Sequence, residues 1–165
     1  MKNCDFYSTA AERRNCTPKE SSKRGAWNGI RGFSKFIPAN DQILVRYLLK
    51  QFNLSGIHYY NYSPDFEPCS IVKILLQCMS SNRSETHKQC NQLCADYWNH
   101  IKYLGRNDWT SSQVKKYCQE NDLTWHECND RSTCLLVPTA IHAFFGHLGG
   151  IAECKRAEKL KYHEK

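Results

Sequence analysis

The sequence lacks any long apolar run. Its longest such stretch, residues 71–76, is short and contains Lys73, whereas a helix that spans a bilayer needs about 20 apolar residues. The N-terminal residues are followed by Ser, Thr, Glu and Arg instead of an apolar segment, so no secretory signal peptide is expected. We therefore expect no membrane span, and a protein that is cytoplasmic or exported by a non-classical or toxin-delivery route.

Glycine and proline are also scarce, with 8 and 5 among 165 residues, which excludes a collagen-like or low-complexity chain. Hydrophobic residues make up 41% and charged residues 24%, a composition that can fold. The length fits one globular domain. We expect an α+β domain at residues 27–151, preceded by a basic polar arm at residues 1–26 and followed by a basic tail at residues 152–165.

Positive charge is concentrated at the two ends of the chain. Residues 1–50 carry a net +6, residues 51–147 a net −1 and residues 148–165 a net +2, which together give the overall +7. A basic surface attracts polyanions because binding releases the counterions condensed on a phosphate backbone. Solvated basic ends would show the same pattern, so charge alone leaves both interpretations open.

Ten cysteines are the most unusual feature of the composition. Disulfides, buried free thiols and a structural zinc site all remain open as explanations. Zinc is disfavoured because no Cys-x2-Cys pair occurs; the closest pairs are Cys90 with Cys94 and Cys128 with Cys134. Cys4 and Cys16 are candidates for tying down the N-terminal arm.

Apolar spacing predicts three helices before residue 123. They are expected over residues 41–52 with Asp41 as cap, over residues 84–104, and from a Ser111 or Ser112 cap to residue 120. Alternation and β-branched residues predict strands at residues 57–62 and 71–79.

Residues 123–150 have the order of a ββα unit. Residues 123–126 and 134–137 are predicted to form two short strands, with a turn at residues 129–132. Pro138 then ends the second strand, and a helix capped by Thr139 is expected to run to a stop at Gly149-Gly150.

Three of the seven histidines lie in this unit, namely His126, His142 and His147. A strand-end histidine that faces histidines on a helix can share one divalent metal ion with them. Glu127 and Asp130 add carboxylates that can act as ligand or proton acceptor. Positions 142 and 147 differ by about 140° around an ideal α-helix. Either the last turn unwinds near Gly146 or contains a π-bulge, or only one of these two residues binds the ion.

The motifs of this unit are Thr124-Trp125-His126-Glu127, Leu136-Val137-Pro138, Ile141-His142 and His147-Leu148-Gly149-Gly150. They resemble the HNH/endonuclease VII superfamily nucleases of bacterial polymorphic toxin systems, specifically their WHH-like branch. Weaker upstream motifs extend the resemblance to roughly residues 27–151: Gly32-Phe33-Ser34, Gly56-Ile57, Pro64-Asp65-Phe66 and Asn82-Arg83.

The resemblance implies a C-terminal ββα-metal (His-Me finger) core packed against several helices. It also implies one divalent metal ion, such as Mg, Mn, Zn or Ni, with His126, His142 and His147 as candidate ligands. In relatives with two consecutive strand histidines, the first binds the metal and the second is the general base. Glu127 has that second position here, and a carboxyl group is a weaker base than imidazole near neutrality. Either Glu127 is the base, or His126 is the base and the other histidines hold the metal with a carboxylate.

The resemblance predicts a metal-dependent endonuclease that hydrolyses phosphodiester bonds of DNA or RNA, with DNA favoured, and that acts as a toxin or effector. Arg131 and the pair Lys155-Arg156 are candidate phosphate contacts. An acidic cognate immunity protein that covers the histidine cleft is the partner that a toxin would require. No membrane partner is expected.

Some residues depart from the family pattern. Cys128 and Leu148 replace residues that are usually polar, and Cys128 and Cys134 flank the hairpin tip, where a disulfide is one possibility. Glu127 in place of a histidine favours an alternative function, a non-catalytic, cysteine-stabilised binding protein on the same scaffold. A structural zinc module is the third hypothesis.

Overall fold

The computed structural model describes residues 6–163 of the chain; residues 1–5 and 164–165, and with them Cys4, lie outside the described part. The helices described are α1 Ala10–Cys16, α2 Ile43–Gln51, α3 Arg83–His100, α4 Ser111–Glu120, α5 Thr139–Phe144 and α6 Gly150–His163. The strands are β1 Gly25–Trp27, β2 Lys35–Pro38, β3 Ile57–Tyr60, β4 Ser63–Pro64, β5 Val72–Leu75, β6 Leu123–Glu127 and β7 Thr133–Pro138. The fold class is α+β, as the sequence predicts.

The strands form two antiparallel sheets, one with the order β1-β2-β3-β4 and one with the order β5-β7-β6. Strand β7 is the centre of the second sheet, and all six of its residues are buried. Its side chains alternate between two cores because successive residues of a strand point to opposite faces. Cys134 and Leu136 belong to one core, and Leu135 and Val137 belong to the other.

The first core lies between the β5-β7-β6 sheet and helices α3, α4 and α6, and three tryptophans contribute to it, Trp98, Trp109 and Trp125. The second core lies on the opposite face of that sheet, where α2, α5 and the four-stranded sheet pack around Phe36, Phe66 and Phe145. Burial of large aromatic side chains on both faces stabilises the sheet that contains the hairpin β6–β7.

Helix caps differ from their predicted positions by one or two residues. Helix α2 begins after Gln42, and the carboxylate of Asp41 accepts a hydrogen bond from the Gln42 side chain instead of capping a backbone N–H. Helix α4 begins after Thr110, whose hydroxyl accepts from the Gln113 backbone while the Gln113 side chain accepts from the Thr110 backbone. That reciprocal pair is a capping box, which stabilises a helix start.

The N-terminal segment, expected to be a polar arm, contains helix α1 and packs on the domain. Thr9 and Glu12 form a capping box at the start of α1. Arg13 is buried and donates to the backbone and side chain of Asn61. The segment expected to be a tail is helical through residue 163 as α6. The division of the chain into arm, domain and tail remains a prediction.

Within the described residues, no disulfide joins any two cysteines, including Cys128 and Cys134. Several of the thiols are buried in the two cores, and burial raises the pKa of Cys118 to about 11 and that of Cys69 to about 12. Such thiols stay protonated and behave as small apolar side chains. Among the helices of residues 6–163, none has the length and apolar content that crossing a bilayer requires.

Candidate functional site

The β6–β7 hairpin and the chain after Pro138 position the three histidines. Strand β6 is an edge strand, and His126 is its penultimate residue. Strand β7 ends at Pro138, which is itself the N-cap of α5, so Thr139 is the first helical residue and not the predicted cap. Proline favours this change of direction because its ring fixes φ near the helical value.

Helix α5 ends at Phe144, so the predicted extension of this helix to Gly149-Gly150 is wrong. His142 is on the helix, whereas His147 lies in the irregular segment between α5 and α6. Gly150 starts α6 instead of stopping α5. The unwinding near Gly146 that would let both histidines reach one ion is therefore present, and the π-bulge is not.

Packing explains why α5 stops so early. Phe144 and Phe145 both pack against Phe36, with ring centroids 6.3 Å away in each case, and consecutive residues of a continuing helix diverge by about 100°. Gly146 then passes so close to the end of α1 that a Cβ atom would lie 2.6 Å from the carbonyl oxygen of Cys16. Only glycine permits that approach without displacing the backbone.

The three imidazoles converge. One ring nitrogen from each of His126, His142 and His147 lies within 4.8 Å of the others. The ring centroids are 5.3 Å apart for His126 and His142, 4.8 Å for His126 and His147, and 4.9 Å for His142 and His147. We call this group the histidine triad. Phe66 packs on all three rings, at centroid distances of 4.8, 5.7 and 5.5 Å.

The environment keeps the histidine triad uncharged. Burial lowers the pKa of His126 well below its usual value, and the neighbouring His147 and His142 lower it further. Burial and His147 lower the pKa of His142 to about 4, and burial lowers the pKa of His147. Neutral imidazoles are the form that binds metal ions.

The donor set fits a metal ion. Nδ1 of His126 and Nε2 of His142 are 3.3 Å apart, close to the roughly 3.4 Å that separates two nitrogens on a tetrahedral ion with bonds of about 2.1 Å. Nδ1 of His147 lies 2.8 Å from the carbonyl oxygen of Phe145, to which it donates, and this leaves Nε2 as the free acceptor. A backbone carbonyl that fixes the tautomer in this way is the usual support of a metal-binding histidine.

Glu127 faces away from the histidine triad towards α3. Its side chain is buried, and its Oε1 lies 2.8 Å from Nε2 of His87 and 3.2 Å from Nε of Arg83. Burial alone would raise the pKa of Glu127, but the hydrogen bond from His87 and the charge of Arg83 outweigh it, so the pKa is lowered. The carboxylate is thus ionised near neutral pH.

Sequence reasoning did not identify His87 and Arg83 as part of this region. They are 40 or more residues before Glu127 and contact it only because α3 packs along β6. Their spacing of four residues, which puts both on one face of α3, is the signal that a pattern search could have used.

The other predicted site residues lie at the hairpin tip and on α6. Asp130 is no member of the histidine triad, because its carboxylate accepts from the backbone N–H groups of Ser132 and Thr133. The guanidinium of Arg131 lies over the ring of Tyr7 at 4.5 Å. On α6, Lys155 is exposed, whereas Arg156 forms an ion pair with Glu12 of α1 at 2.7 Å.

A family model for the DNase/tRNase domain of colicin-like bacteriocins matches residues 56–149, more than half of the chain. The matched span begins just before β3, ends just before α6, and includes all three members of the histidine triad. Comparisons with curated proteins and with solved structures gave no significant match. The match supports a nuclease of the toxin class that acts on DNA or RNA. The chain belongs to the family of DNase/tRNase domains of colicin-like bacteriocins.

Proposed function

We propose that this protein is a metal-dependent endonuclease with a ββα-metal core of the WHH-like branch, and that it hydrolyses phosphodiester bonds of DNA in preference to RNA as a toxin. The observation that carries the proposal is the convergence of three neutral imidazoles from the β6–β7 hairpin and from the chain after Pro138. The order of strand, strand and short helix around them supports the same core.

His126, His142 and His147 would hold one divalent cation. When bound, that cation supplies positive charge for the transition state and lowers the pKa of a bound water. Three nitrogen ligands suit Zn or Ni better than Mg, which prefers oxygen ligands. The side chain of Phe66 packs against all three rings from the protein side of the site.

The remaining roles concern the base and the substrate. Of the two predicted bases, His126 is better placed as a ligand because its ring nitrogen lies among those of His142 and His147. Glu127, the other predicted base, then directly follows the proposed ligand in β6. Phosphate contacts are proposed for Arg131, Lys155 and Arg156, in line with the basic excess of the chain. Lys155 is the most accessible of these, because it is exposed.

A toxin of this kind would need a cognate inhibitor. The proposed partner is an acidic immunity protein that covers the histidine cleft, since a basic nuclease with a polyanionic substrate presents a surface complementary to acidic groups. The support for this partner is the toxin family to which the chain belongs.

The test is cleavage of plasmid DNA and of total RNA by the purified protein, with added Zn, Ni, Mn or Mg and with a chelator. We expect metal-dependent cleavage that the chelator abolishes, and a loss of at least about 100-fold in His142→Ala, which removes one proposed ligand. His100→Ala is the matched control, because His100 is an exposed histidine at the end of α3. Equal cleavage by His142→Ala and wild type would contradict the proposal.

A non-catalytic binding protein is the second candidate, and one observation favours it: Glu127 has the position of the base and is held by His87 and Arg83. This candidate predicts nucleic-acid binding without cleavage under any metal condition. A structural zinc module instead predicts that the chelator unfolds the protein.

A further inference from the structure

A helix distant in sequence brings a fourth imidazole next to the proposed site. His87 of α3 donates from Nε2 to Oε1 of Glu127 at 2.8 Å, and Arg83, one turn earlier, contacts the same oxygen at 3.2 Å. The acceptor of both contacts is thus the carboxylate that stands where relatives with two consecutive strand histidines carry a base.

The register of α3 against β6 is fixed by a second hydrogen bond. Nε1 of Trp125 donates to Oδ1 of Asn91 at 2.9 Å, and both groups are buried. Four helical residues, about 6.0 Å, separate Asn91 from His87, and two strand residues, about 6.6 Å, separate Trp125 from Glu127. Because the hydrogen bond holds Asn91 at Trp125, these similar spacings place His87 beside Glu127.

Glu127 is itself a poor candidate for taking a proton from water. Only 2% of the residue is exposed, and Oε1 already accepts a hydrogen bond from His87 and forms an ion pair with Arg83. The side chain of His87 is 30% exposed, so it is open to solvent. Its Nε2 is committed as donor to the carboxylate, which leaves Nδ1 as an unprotonated acceptor in the neutral ring.

The same cluster lies next to the histidine triad along the chain, because Glu127 directly follows His126 in β6. Glu127, Arg83 and His87 all interact electrostatically with His142. A carboxylate that holds one nitrogen of an imidazole also stabilises the imidazolium formed when the other nitrogen takes a proton. His87 and Glu127 together therefore provide a proton acceptor and a carboxylate that orients it. Neither His126, which is a proposed metal ligand, nor Glu127 alone provides both.

We propose that His87 is the general base of the hydrolysis, oriented by Glu127 through its carboxylate; this inference rests on the proposed nuclease function. As the water oxygen forms its bond to phosphorus, one water proton passes to Nδ1 of His87. The bond from phosphorus to the leaving oxygen breaks, and that oxygen takes a proton from a second water molecule. His87 returns its proton to solvent before the next cycle.

The experiment compares single-turnover plasmid cleavage at saturating metal for wild type, His87→Ala, His87→Gln and the control His100→Ala. We expect both His87 variants to lose about 10²- to 10⁴-fold in rate, the range typical of a general base. Their metal affinity, measured by calorimetry with Zn or Ni, should stay within about threefold of wild type. Added imidazole should restore part of the His87→Ala rate, and His100→Ala should cleave as wild type does.

The glutamine variant keeps the inference testable if the alanine variant is misfolded, since its amide can still donate to Glu127 but cannot serve as the base. Wild-type rates in His87→Gln would overturn the inference while leaving the proposed function intact. If the His87 variants lose cleavage rate in proportion to lost metal affinity, and imidazole does not restore the rate, His87 has a structural role and the inference is overturned. Absence of cleavage by the wild type would instead overturn the proposed nuclease function and the inference together.

Discussion

The histidine triad makes the folding stability of this protein depend on pH. All three imidazoles have a lowered pKa, that of His142 about 4, because burial disfavours their charged forms, and repulsion from neighbouring imidazoles adds to this at His126 and His142. In the unfolded chain the same side chains titrate near 6.5. Between about pH 6.5 and pH 4 the unfolded state therefore binds more protons than the folded state.

We expect the metal-free protein to lose stability as the pH falls through that window, because stability rises with pH wherever the unfolded state holds more protons. Urea unfolding in a chelating buffer at pH 7.5, 6.5 and 5 measures this as a decreasing midpoint. His142→Gln should show a smaller decrease, since it has one such group fewer. A midpoint that stays constant or rises towards pH 5 would contradict the environment described for these rings.

A second prediction at the residue scale concerns the buried hydrogen bond between Trp125 and Asn91. Asn91→Ala leaves the indole N–H without an acceptor in the core, which costs about 1–3 kcal/mol of unfolding free energy. Because the same bond sets the register that brings His87 to Glu127, cleavage should weaken as well. Gln92→Ala, an exposed neighbour, is the control; equal unfolding midpoints for Asn91→Ala and wild type would contradict the assignment.

At the scale of elements, the short helix α5 determines where His147 lies. The helix must stop at Phe144 for the triad to form, and the close passage of Gly146 against the carbonyl of Cys16 holds the chain in its new direction. A methyl group at Gly146 would force the segment between α5 and α6 away from α1.

Gly146→Ala should therefore destabilise the protein by about 1–3 kcal/mol and weaken metal binding by displacing His147. Gly105→Ala is a suitable comparison, because its positive φ of 72° also strains an added side chain, while nothing lies within 4 Å of the added carbon. Thermal unfolding and calorimetric metal titration of the two variants provide the measurement. If Gly146→Ala binds metal as tightly as Gly105→Ala does, the segment does not depend on this contact.

The sequence predicts elements well where their signal is local. The strands around Trp125 and Leu136 and the helix through Trp98 were found because continuous or periodic apolar residues mark them. Helix α1 was missed because it is polar, and a capping box at Thr9 with the burial of Arg13 stabilises it in place of an apolar stripe. The end of α5 was misplaced because Gly149-Gly150 is a strong local stop signal, whereas the real end depends on the packing of Phe144 and Phe145.

The candidate site was likewise predictable only where its signal is local. His126, His142 and His147 were identified because they lie within 22 residues and match a known motif pattern. His87 was not, because its contact with Glu127 exists only after α3 has packed on β6, and no spacing within residues 123–150 carries that information.

At the scale of the whole molecule, the two ends of the described chain are joined through one buried carboxylate. Glu153 of α6 is fully buried and accepts hydrogen bonds from the backbone N–H groups of Tyr7 and Ser8 and from the Ser8 hydroxyl. Arg13, also buried, donates to the carbonyl and hydroxyl oxygens of Ser8. Neither segment lies within the span that the bacteriocin family model matches.

This junction supports the histidine triad from outside the matched region, because α1 carries the Cys16 carbonyl against which Gly146 packs. Glu153→Ala removes the acceptor of four hydrogen bonds, one of which comes from Asn129, so we expect a loss of at least about 2 kcal/mol of unfolding free energy. Amide exchange at Ser8 and in α1 should also accelerate, while Glu158→Ala, exposed on the same helix, should change neither. If exchange in α1 is unaffected by Glu153→Ala, the ends of the chain fold independently of one another, and the N-terminal segment has no part in holding the site.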